Sequence, residues 1–246
     1  MKRLLILGGT AEARQLAAKV ARLPGLESQV SLAGRTADPE AHEIPVRIGG
    51  FGGTQGLAQY LLSQQIDLLI DATHPFANQM SANAAVAADQ TNTPRMCIQR
   101  PLWQRETPEE WIEVADIASA VDALPAGARA FTATGRGSMD DFLRRDDIYT
   151  CLRVIDPSDD PYPGQGEFVV ARPPFSVKAE EKVLKHHRAT HLVVKNSGGG
   201  PGRTKLTAAG QLGLPIVIVE RMPLPKGSQI VEDADAALHW VKNQIG

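Results

Sequence analysis

Cysteine is scarce in this sequence, because the 246 residues include only Cys97 and Cys151. Neither cysteine has a second one at CxxC spacing. Disulfide-stapled domains and zinc modules both need several cysteines, or cysteines with histidines, at short and regular spacings. The sequence therefore offers no disulfide framework and no zinc motif, and we expect no metal site.

An excess of positive charge and a long hydrophobic run are missing as well. The 26 Lys and Arg residues nearly balance the 28 Asp and Glu residues, whereas nucleic-acid-binding domains are usually basic. The apolar run at the start ends at Gly8, too early for a signal peptide, and no stretch approaches the roughly 20 apolar residues of a membrane span. We expect a cytoplasmic protein with no nucleic-acid partner and no membrane partner.

The sequence does contain a repeated alternation of short apolar runs with Ala- and Leu-rich segments of helical spacing. This alternation predicts an α/β fold whose parallel sheets are covered by helices on both faces. The predicted strands are Leu4–Leu7, Gln29–Ala33, Asp67–Ile70, Arg95–Gln99, Ala130–Ala133, Leu192–Lys195 and Ile216–Val219. The predicted helices are Glu12–Arg22, Thr54–Gln64, Gln79–Asp89, Val177–His187 and Lys205–Leu212.

A polar joint interrupts the alternation near residue 100, where Pro101 and Pro108 lie. We place a boundary there, which divides the chain into an N-terminal dinucleotide-binding domain, residues 1–100, and a second α/β domain, residues 101–246. We expect the functional cleft between the two domains. The segment Asp233–Asn243 is predicted to be a helix that packs on the second sheet.

The first strand leads into a glycine turn and then into a helix. Gly8, Gly9, Thr10 and Ala11 are the residues of this turn, and such a turn lets backbone N–H groups and a helix N-terminus face a phosphate. The Thr10 hydroxyl can add a further donor. The letters GGTAEA depart from the GxGxxG pattern, so a ligand-free turn is the alternative. Because the turn follows the first strand of the chain, we predict that it binds a dinucleotide.

The end of the second strand bears on which dinucleotide is bound. NAD sites often carry an acidic residue there for the ribose 2′-hydroxyl, but this strand is followed by Gly34, Arg35 and Thr36. A guanidinium can pair with a 2′-phosphate through two hydrogen bonds. We therefore predict NADPH as the cofactor, with NADH possible; a solvent-facing arginine is the alternative.

Two further loops are candidates for the same site. Gly50, Phe51 and Gly52 lie in a glycine-rich loop that could follow a ligand, although a flexible turn would have the same composition. Thr73 and His74 come directly after the strand Asp67–Ile70, and ligands in open α/β sheets bind at the carboxyl ends of strands. We expect these two residues near the nicotinamide; a structural histidine is the alternative.

Together these segments resemble the precorrin-6A reductase family of cobalamin biosynthesis. The resemblance rests on four motifs in the same order: the opening ILGGTAEAR, the GGFGG loop, DATHPFA and the later KNSGG at Lys195–Gly199. It implies two Rossmann-like domains with parallel sheets flanked by helices. It also implies reduction of one macrocycle double bond of precorrin-6A, or of cobalt-precorrin-6A, by NAD(P)H.

A precorrin carries many carboxylates, so this substrate needs cations and backbone amides in the second half of the chain. Arg136 lies in a strand–glycine–helix segment that is predicted to repeat the anion-binding turn of the first half. The remaining substrate-binding candidates are Lys195, Asn196, Ser197, Gly198 and Lys205. For each cation the alternative is a solvated surface position.

The simplest scheme is direct hydride transfer, with His74 as the candidate proton donor and water as the other possible source. Two other functions compete with this one. A reductase of a smaller ketone would usually carry Tyr-x-x-x-Lys, and no Tyr here has Lys four positions later. An NADPH-binding regulatory or sensor protein without turnover would not need the cations and glycine loops of the second half.

Overall fold

A computed structural model describes residues 1–34, 42–200 and 202–246. Within these residues the chain forms twelve β-strands, eight α-helices and one 3-10 helix, Arg136–Ser138. The strands are β1 (Lys2–Leu7), β2 (Leu26–Leu32), β3 (Val46–Ile48), β4 (Leu68–Asp71), β5 (Arg95–Ile98), β6 (Trp111–Val114), β7 (Arg129–Thr132), β8 (Tyr149–Val154), β9 (Gly166–Val170), β10 (His191–Lys195), β11 (Ile216–Val219) and β12 (Gln229–Val231). The helices are α1 (Ala11–Val20), α2 (Gly53–Ser63), α3 (Asn78–Thr91), α4 (Ile117–Asp122), α5 (Met139–Leu143), α6 (Val177–His186), α7 (Thr204–Gln211) and α8 (Ala234–Ile245).

The chain divides into two compact units, each with one six-stranded sheet. Unit 1 comprises residues 1–101 and 222–246, and unit 2 comprises residues 102–221. The strand order is β12-β5-β4-β1-β2-β3 in unit 1 and β6-β11-β10-β7-β8-β9 in unit 2. Every neighbouring pair is parallel. The prediction of parallel α/β sheets is confirmed.

Both sheets have the 3-2-1-4-5-6 strand order of a Rossmann fold when they are counted from β1 and from β7. The sixth position is filled in an unusual way in each unit. In unit 1 it is taken by β12, which follows the whole of unit 2 in the chain, and in unit 2 by β6, which precedes the other five strands. Each unit is therefore a complete sheet although neither follows simple chain order.

The predicted position of the C-terminal helix is wrong. The helix exists as α8, but its buried residues Ala234, Ala237 and Val241 join the core of unit 1 together with Leu16 and Val20 of α1. The reason is β12, which pairs with β5 and brings the end of the chain to the first sheet. The predicted second domain, residues 101–246, consequently includes a segment, residues 222–246, that belongs to unit 1.

Strand β1 illustrates why continuous apolar runs mark these strands. Leu4 and Ile6 are buried in the cluster that includes α1 and α8, whereas Leu5 and Leu7 are buried in the cluster that includes α2 and α3. Successive side chains of a strand point to opposite faces, and helices cover both faces of this sheet. Each position must therefore be apolar, so the run does not alternate with polar residues.

The strands that sequence analysis missed lack such a run. Strands β3, β6, β9 and β12 are three to five residues long and only partly buried, and all four are edge strands. Strand β8 is buried but contains Thr150 and Arg153, which break the apolar pattern. The extended conformation of these strands depends on hydrogen bonding to the neighbouring strand more than on the local sequence pattern.

The two cysteines are buried free thiols in different units. Burial raises the pKa of Cys97 to about 11 and that of Cys151 to about 12, so both thiols are protonated at neutral pH. Among the described residues, no helix has both the length and the apolar character that a membrane span requires.

Candidate functional site

The turn between β1 and α1 lies where the strand order of unit 1 reverses, with β2 on one side of β1 and β4 on the other. Ligands of open α/β sheets bind beyond the strand ends at this point. A Cβ on Gly8 would lie 2.8 Å from Val30 Cγ1, and Gly9 has a φ of 115°, so both positions require glycine. The first turn of α1 presents its backbone N–H groups here, which favours an anionic ligand.

Thr10 connects this turn to the segment that follows β4. Its hydroxyl oxygen accepts a hydrogen bond from the Ala13 N–H at 3.2 Å, which caps α1, and its O–H donates to the Ala72 carbonyl at 2.8 Å. The sequence predicts a phosphate as the partner of this hydroxyl. Because the hydroxyl is engaged in these two contacts, the group that Thr10 offers a ligand is its backbone N–H.

Asp71 shapes the loop that carries Thr73 and His74. It is the last residue of β4, its side chain is buried, and its Oδ1 accepts the Thr73 N–H at 3.1 Å and the Thr73 hydroxyl at 2.7 Å. These bonds form a tight turn at the strand end. Ala72, the residue before Thr73, accepts the hydrogen bond from Thr10. Thr73 and His74 therefore leave the sheet next to the Gly8–Ala11 turn.

The ring of His74 has one nitrogen held by the backbone. Its Nδ1 accepts the Phe76 N–H at 3.2 Å, and the residue is exposed. A nitrogen that accepts a hydrogen bond carries no proton, so the neutral ring has its proton on Nε2. The loop thus determines which nitrogen of His74 can donate to a ligand.

The glycine-rich loop after β3 is organised around Arg47, a residue that sequence analysis missed. The guanidinium donates to the carbonyls of Gly49 and Gly50, and its carbon lies 4.0 Å from the centre of the Phe51 ring. A Cβ on Gly56 would lie 1.7 Å from the Phe51 carbonyl oxygen, so the loop packs closely on the first turn of α2. The segment that contains Gly50, Phe51 and Gly52 is therefore a shaped surface, and Arg47 could have been suspected from its place two residues before Gly49.

Two of the predicted cofactor residues, Arg35 and Thr36, lie outside the residues that the structure describes. Their assignment to a 2′-phosphate stays a prediction. Strand β2, which precedes them, is adjacent to β1 in the sheet.

In unit 2 the strand order reverses between β7 and β10, and the predicted substrate residues cluster at their ends. Lys195 is the last residue of β10, and its Nζ donates to the Thr134 carbonyl at 2.8 Å. Thr134 lies in the loop that follows β7 and leads to Arg136. The structure therefore brings Lys195 and the Arg136 loop together at the ligand-binding edge of this type of sheet.

The predicted order of strand, glycine turn and helix is present around Arg136, whereas anion binding by this turn stays a prediction. A 3-10 turn follows β7, and then comes α5, which has five residues and carries Asp140 and Asp141 in its first turn. Such a short helix has little dipole, and two carboxylates at its start repel an anion. The exposed side chain of Arg136 donates to the Asp156 carbonyl at 2.9 Å, and its assignment to the substrate stays a prediction.

The KNSGG loop is held against Trp103, a second residue that sequence analysis missed. Asn196 Oδ1 accepts the Trp103 N–H at 2.9 Å, Asn196 Nδ2 donates to the Trp103 carbonyl at 3.3 Å, and the Trp103 indole donates to the Gly199 carbonyl at 2.6 Å. The Asn196 side chain therefore holds the loop in place. Ser197 and the buried Gly198 lie within the loop that these bonds order.

Lys205 lies at the other end of this loop. Its Nζ donates to the Gly202 carbonyl at 2.7 Å and lies 5.1 Å from the centre of the Trp103 ring. Its neighbour Arg203 pairs with the buried carboxylate of Glu109 at 2.6 Å, which gives Arg203 a structural task. Lys195 begins the KNSGG loop, Trp103 holds this loop through Asn196 and Gly199, and Lys205 lies against the Trp103 ring.

Comparison with known proteins gives a consistent result. The family model described as Precorrin-6x reductase CbiJ/CobK matches residues 3–242. A precorrin-6A reductase of Rhodococcus erythropolis is 44% identical over 242 residues, and a cobalt-precorrin-6A reductase of Priestia megaterium is 26% identical over 261 residues; each match covers 98% of both chains. A solved structure named CobK precorrin-6A reductase has a TM-score of 0.92 and 41% identity, covering 99% of this chain and 97% of that one.

Proposed function

The chain belongs to the precorrin-6x reductase family, and on that premise we propose that it reduces one double bond of the precorrin-6A macrocycle in cobalamin biosynthesis. The enzyme is an oxidoreductase that acts on a CH–CH bond and uses a nicotinamide dinucleotide. The structural observation that carries the proposal is the glycine turn Gly8–Ala11 at the reversal of the unit 1 sheet. The alternative of a sensor without turnover has no support, since the matching relatives are named as reductases.

The residues of unit 1 fit a dinucleotide at the carboxyl edge of the sheet. The glycine turn, with no room for a Cβ at Gly8, would hold the diphosphate on the backbone N–H groups of Gly9, Thr10 and Ala11. We place the adenosine half toward β2 and β3, which lie on one side of β1. The Gly50–Gly52 loop follows β3, and Arg35 and Thr36 follow β2 in the sequence. Thr73 and His74 follow β4 on the other side and would face the nicotinamide. A bound reduced nicotinamide supplies the hydride.

The residues of unit 2 supply charge for the substrate. Lys195, Lys205 and Arg136 would pair with carboxylates of the macrocycle, while Asn196 keeps the Ser197–Gly198 backbone in position. The metal-free macrocycle is the substrate we favour, since the relative named for it is 44% identical and the relative named for the cobalt form is 26% identical.

The proposal predicts turnover with both substrates present. Incubation with precorrin-6A and NADPH is expected to change the long-wavelength absorption of the macrocycle while NADPH is consumed in equal amount. NADPH is expected to have a lower Michaelis constant than NADH, and Arg35→Ala should raise the constant for NADPH much more than that for NADH. Binding of NADPH without any macrocycle reduction would contradict the proposed reaction, and an equal effect of Arg35→Ala on both cofactors would contradict only the 2′-phosphate contact.

Substitution of Lys195 tests the substrate site separately. A charge-assisted hydrogen bond contributes about 1.5–3 kcal/mol, so Lys195→Met should raise the Michaelis constant for precorrin-6A about 10- to 150-fold. The constant for NADPH should stay the same. Lys185→Met is the matched control, because this exposed lysine on α6 pairs only loosely with Glu181. An unchanged constant for precorrin-6A, or equal increases for both ligands, would remove Lys195 from the substrate site.

A further inference from the structure

Three side chains of metal-binding type meet in unit 2 at a place that the proposed reaction does not use. Cys151 on β8 and Glu167 on β9 are partners in the parallel strand register, and His187 directly follows α6. Cys151 and Glu167 lie near the amino-terminal ends of their strands and His187 lies four residues before β10, whereas Lys195 is the last residue of β10 and Arg136 follows the carboxyl end of β7. The cluster is thus at the opposite edge of the sheet from the candidate substrate residues.

The ligand atoms of the cluster converge. His187 Nδ1 lies 2.9 Å from Glu167 Oε1, Cys151 Sγ lies 3.6 Å from the same oxygen, and all three atoms lie within 4.8 Å of one another. Zinc–ligand bonds of about 2.0–2.3 Å place the ligand atoms of a tetrahedral site roughly 3.3–3.8 Å apart. Small side-chain rotations would therefore bring the three atoms to zinc-binding distance.

We propose that Cys151, Glu167 and His187 bind one Zn²⁺ ion, with water as the fourth ligand. Thiolate, imidazole and carboxylate are all ligands that zinc accepts, and the ion would take the place of the thiol proton. The Glu167 side chain is 38% exposed, so water can reach the fourth position. The sequence has no zinc motif because the ligands come from three separate elements, at spacings of 16 and 20 residues.

The charges around the cluster are compatible with one divalent cation. Arg129 is a neighbouring cation whose charge acts on both Cys151 and Glu167 and opposes an added ion. It also donates to the His187 carbonyl at 3.0 Å and stacks on Tyr149 at 3.8 Å. The thiolate and the carboxylate together supply two negative charges, which offset those of the ion. The imidazole of His186 also lies close, 4.8 Å from that of His187 between ring centres. Bound zinc would join β8, β9 and the end of α6, and so would stabilise the fold of unit 2 rather than serve the reaction.

The test is zinc binding by the purified full-length protein after removal of metals with a chelator. We expect one equivalent of Zn²⁺ to bind, measured by competition with a chromophoric chelator, and Co²⁺ to bind at the same site with a thiolate charge-transfer band. Cys151→Ser should abolish the band and weaken Zn²⁺ binding about 100-fold or more. Mutation of a group that only hydrogen-bonds to a metal ligand already lowers metal affinity about 10- to 100-fold, and loss of the ligand itself should cost at least as much. Glu167→Gln, at a partly exposed position, provides a second variant that keeps the fold, and it should weaken binding as well.

Two matched controls separate this site from non-specific binding. Cys97→Ser removes the other cysteine, which lies in unit 1, and His186→Asn removes the neighbouring imidazole. Both variants should bind one equivalent of Zn²⁺ with unchanged affinity and retain the cobalt band. Failure of the native protein to bind zinc, or binding by Cys151→Ser with native affinity, would overturn the proposal. Neither result depends on reductase activity.

Discussion

Replacement of His74 by alanine is expected to lower the turnover number with precorrin-6A and NADPH about 100-fold or more, if this residue delivers the proton. The Phe76 N–H holds Nδ1, so the proton that His74 could deliver is the one on Nε2. The loop that Asp71 closes presents the ring at the end of β4, on the side of β1 where we place the nicotinamide. Steady-state kinetics under saturating concentrations of both substrates would measure the effect.

Two further variants make this result interpretable. His74→Gln retains an N–H donor but has no proton to transfer, so its turnover should be as low as that of His74→Ala. Recovery in the glutamine variant would assign His74 a hydrogen-bonding role, and near-native turnover of the alanine variant would make it a structural residue. His239→Ala is the control, since this exposed histidine lies on α8 and should be silent.

The largest effect on stability is expected at the ion pair between Arg153 and Glu180. The two side chains form parallel hydrogen bonds of 2.8 and 2.6 Å, and they are only 7% and 1% exposed. Arg153 also lies over the Phe131 and Phe175 rings. Glu180→Gln would leave a buried guanidinium without its counter-charge, which destabilises by about 3–5 kcal/mol. The melting temperature should fall by about 6–20 °C in differential scanning calorimetry.

Other substitutions at and near this pair provide the controls. Glu181→Gln changes the adjacent residue of the same helix, whose contact with Lys185 is long, at 3.9 Å, and should cost less than about 1 kcal/mol. The double variant Arg153→Met with Glu180→Leu removes both charges and should regain most of the stability, since apolar replacements of buried pairs are often neutral. A loss below about 1 kcal/mol for Glu180→Gln would show that the guanidinium finds another partner or water.

Much of the fold could be predicted because its central strands are buried on both faces. Runs such as Leu4–Leu7 and Ile216–Val219 are apolar at every position, which is typical of short parallel strands that are covered on both faces. The edge strands β3 and β12 have mixed patterns and could not be recognised in this way. Strand β8 was not predicted for a different reason. The charged Arg153 interrupts its apolar run, and the residue that neutralises this charge, Glu180, is 27 positions away.

The residues of the candidate site also fall into two groups, those that could be predicted from the sequence and those that could not. The glycines at the strand ends and the residues next to them could be found in the sequence, because a turn that presents N–H groups needs a local composition. The contacts of Arg47 with the glycine-rich loop and the pairing of Trp103 with Asn196 could not be found, since both depend on folding. The Thr10 hydroxyl was misassigned for this reason: its partner, the Ala72 carbonyl, is 62 residues away.

The sequence by itself determined the class of fold, the strand-end turns and, through its motifs, the family. The hydrophobic periodicity of a strand or helix and the position of a turn glycine depend on residues close together in the sequence, so both can be recognised without the fold. Only the tertiary structure decided that β12 and α8 complete the first sheet, that β6 completes the second, and that Cys151, Glu167 and His187 meet. Strand pairing and side-chain convergence depend on distance in space, and a parallel strand gains the same hydrogen bonds whatever its order in the chain.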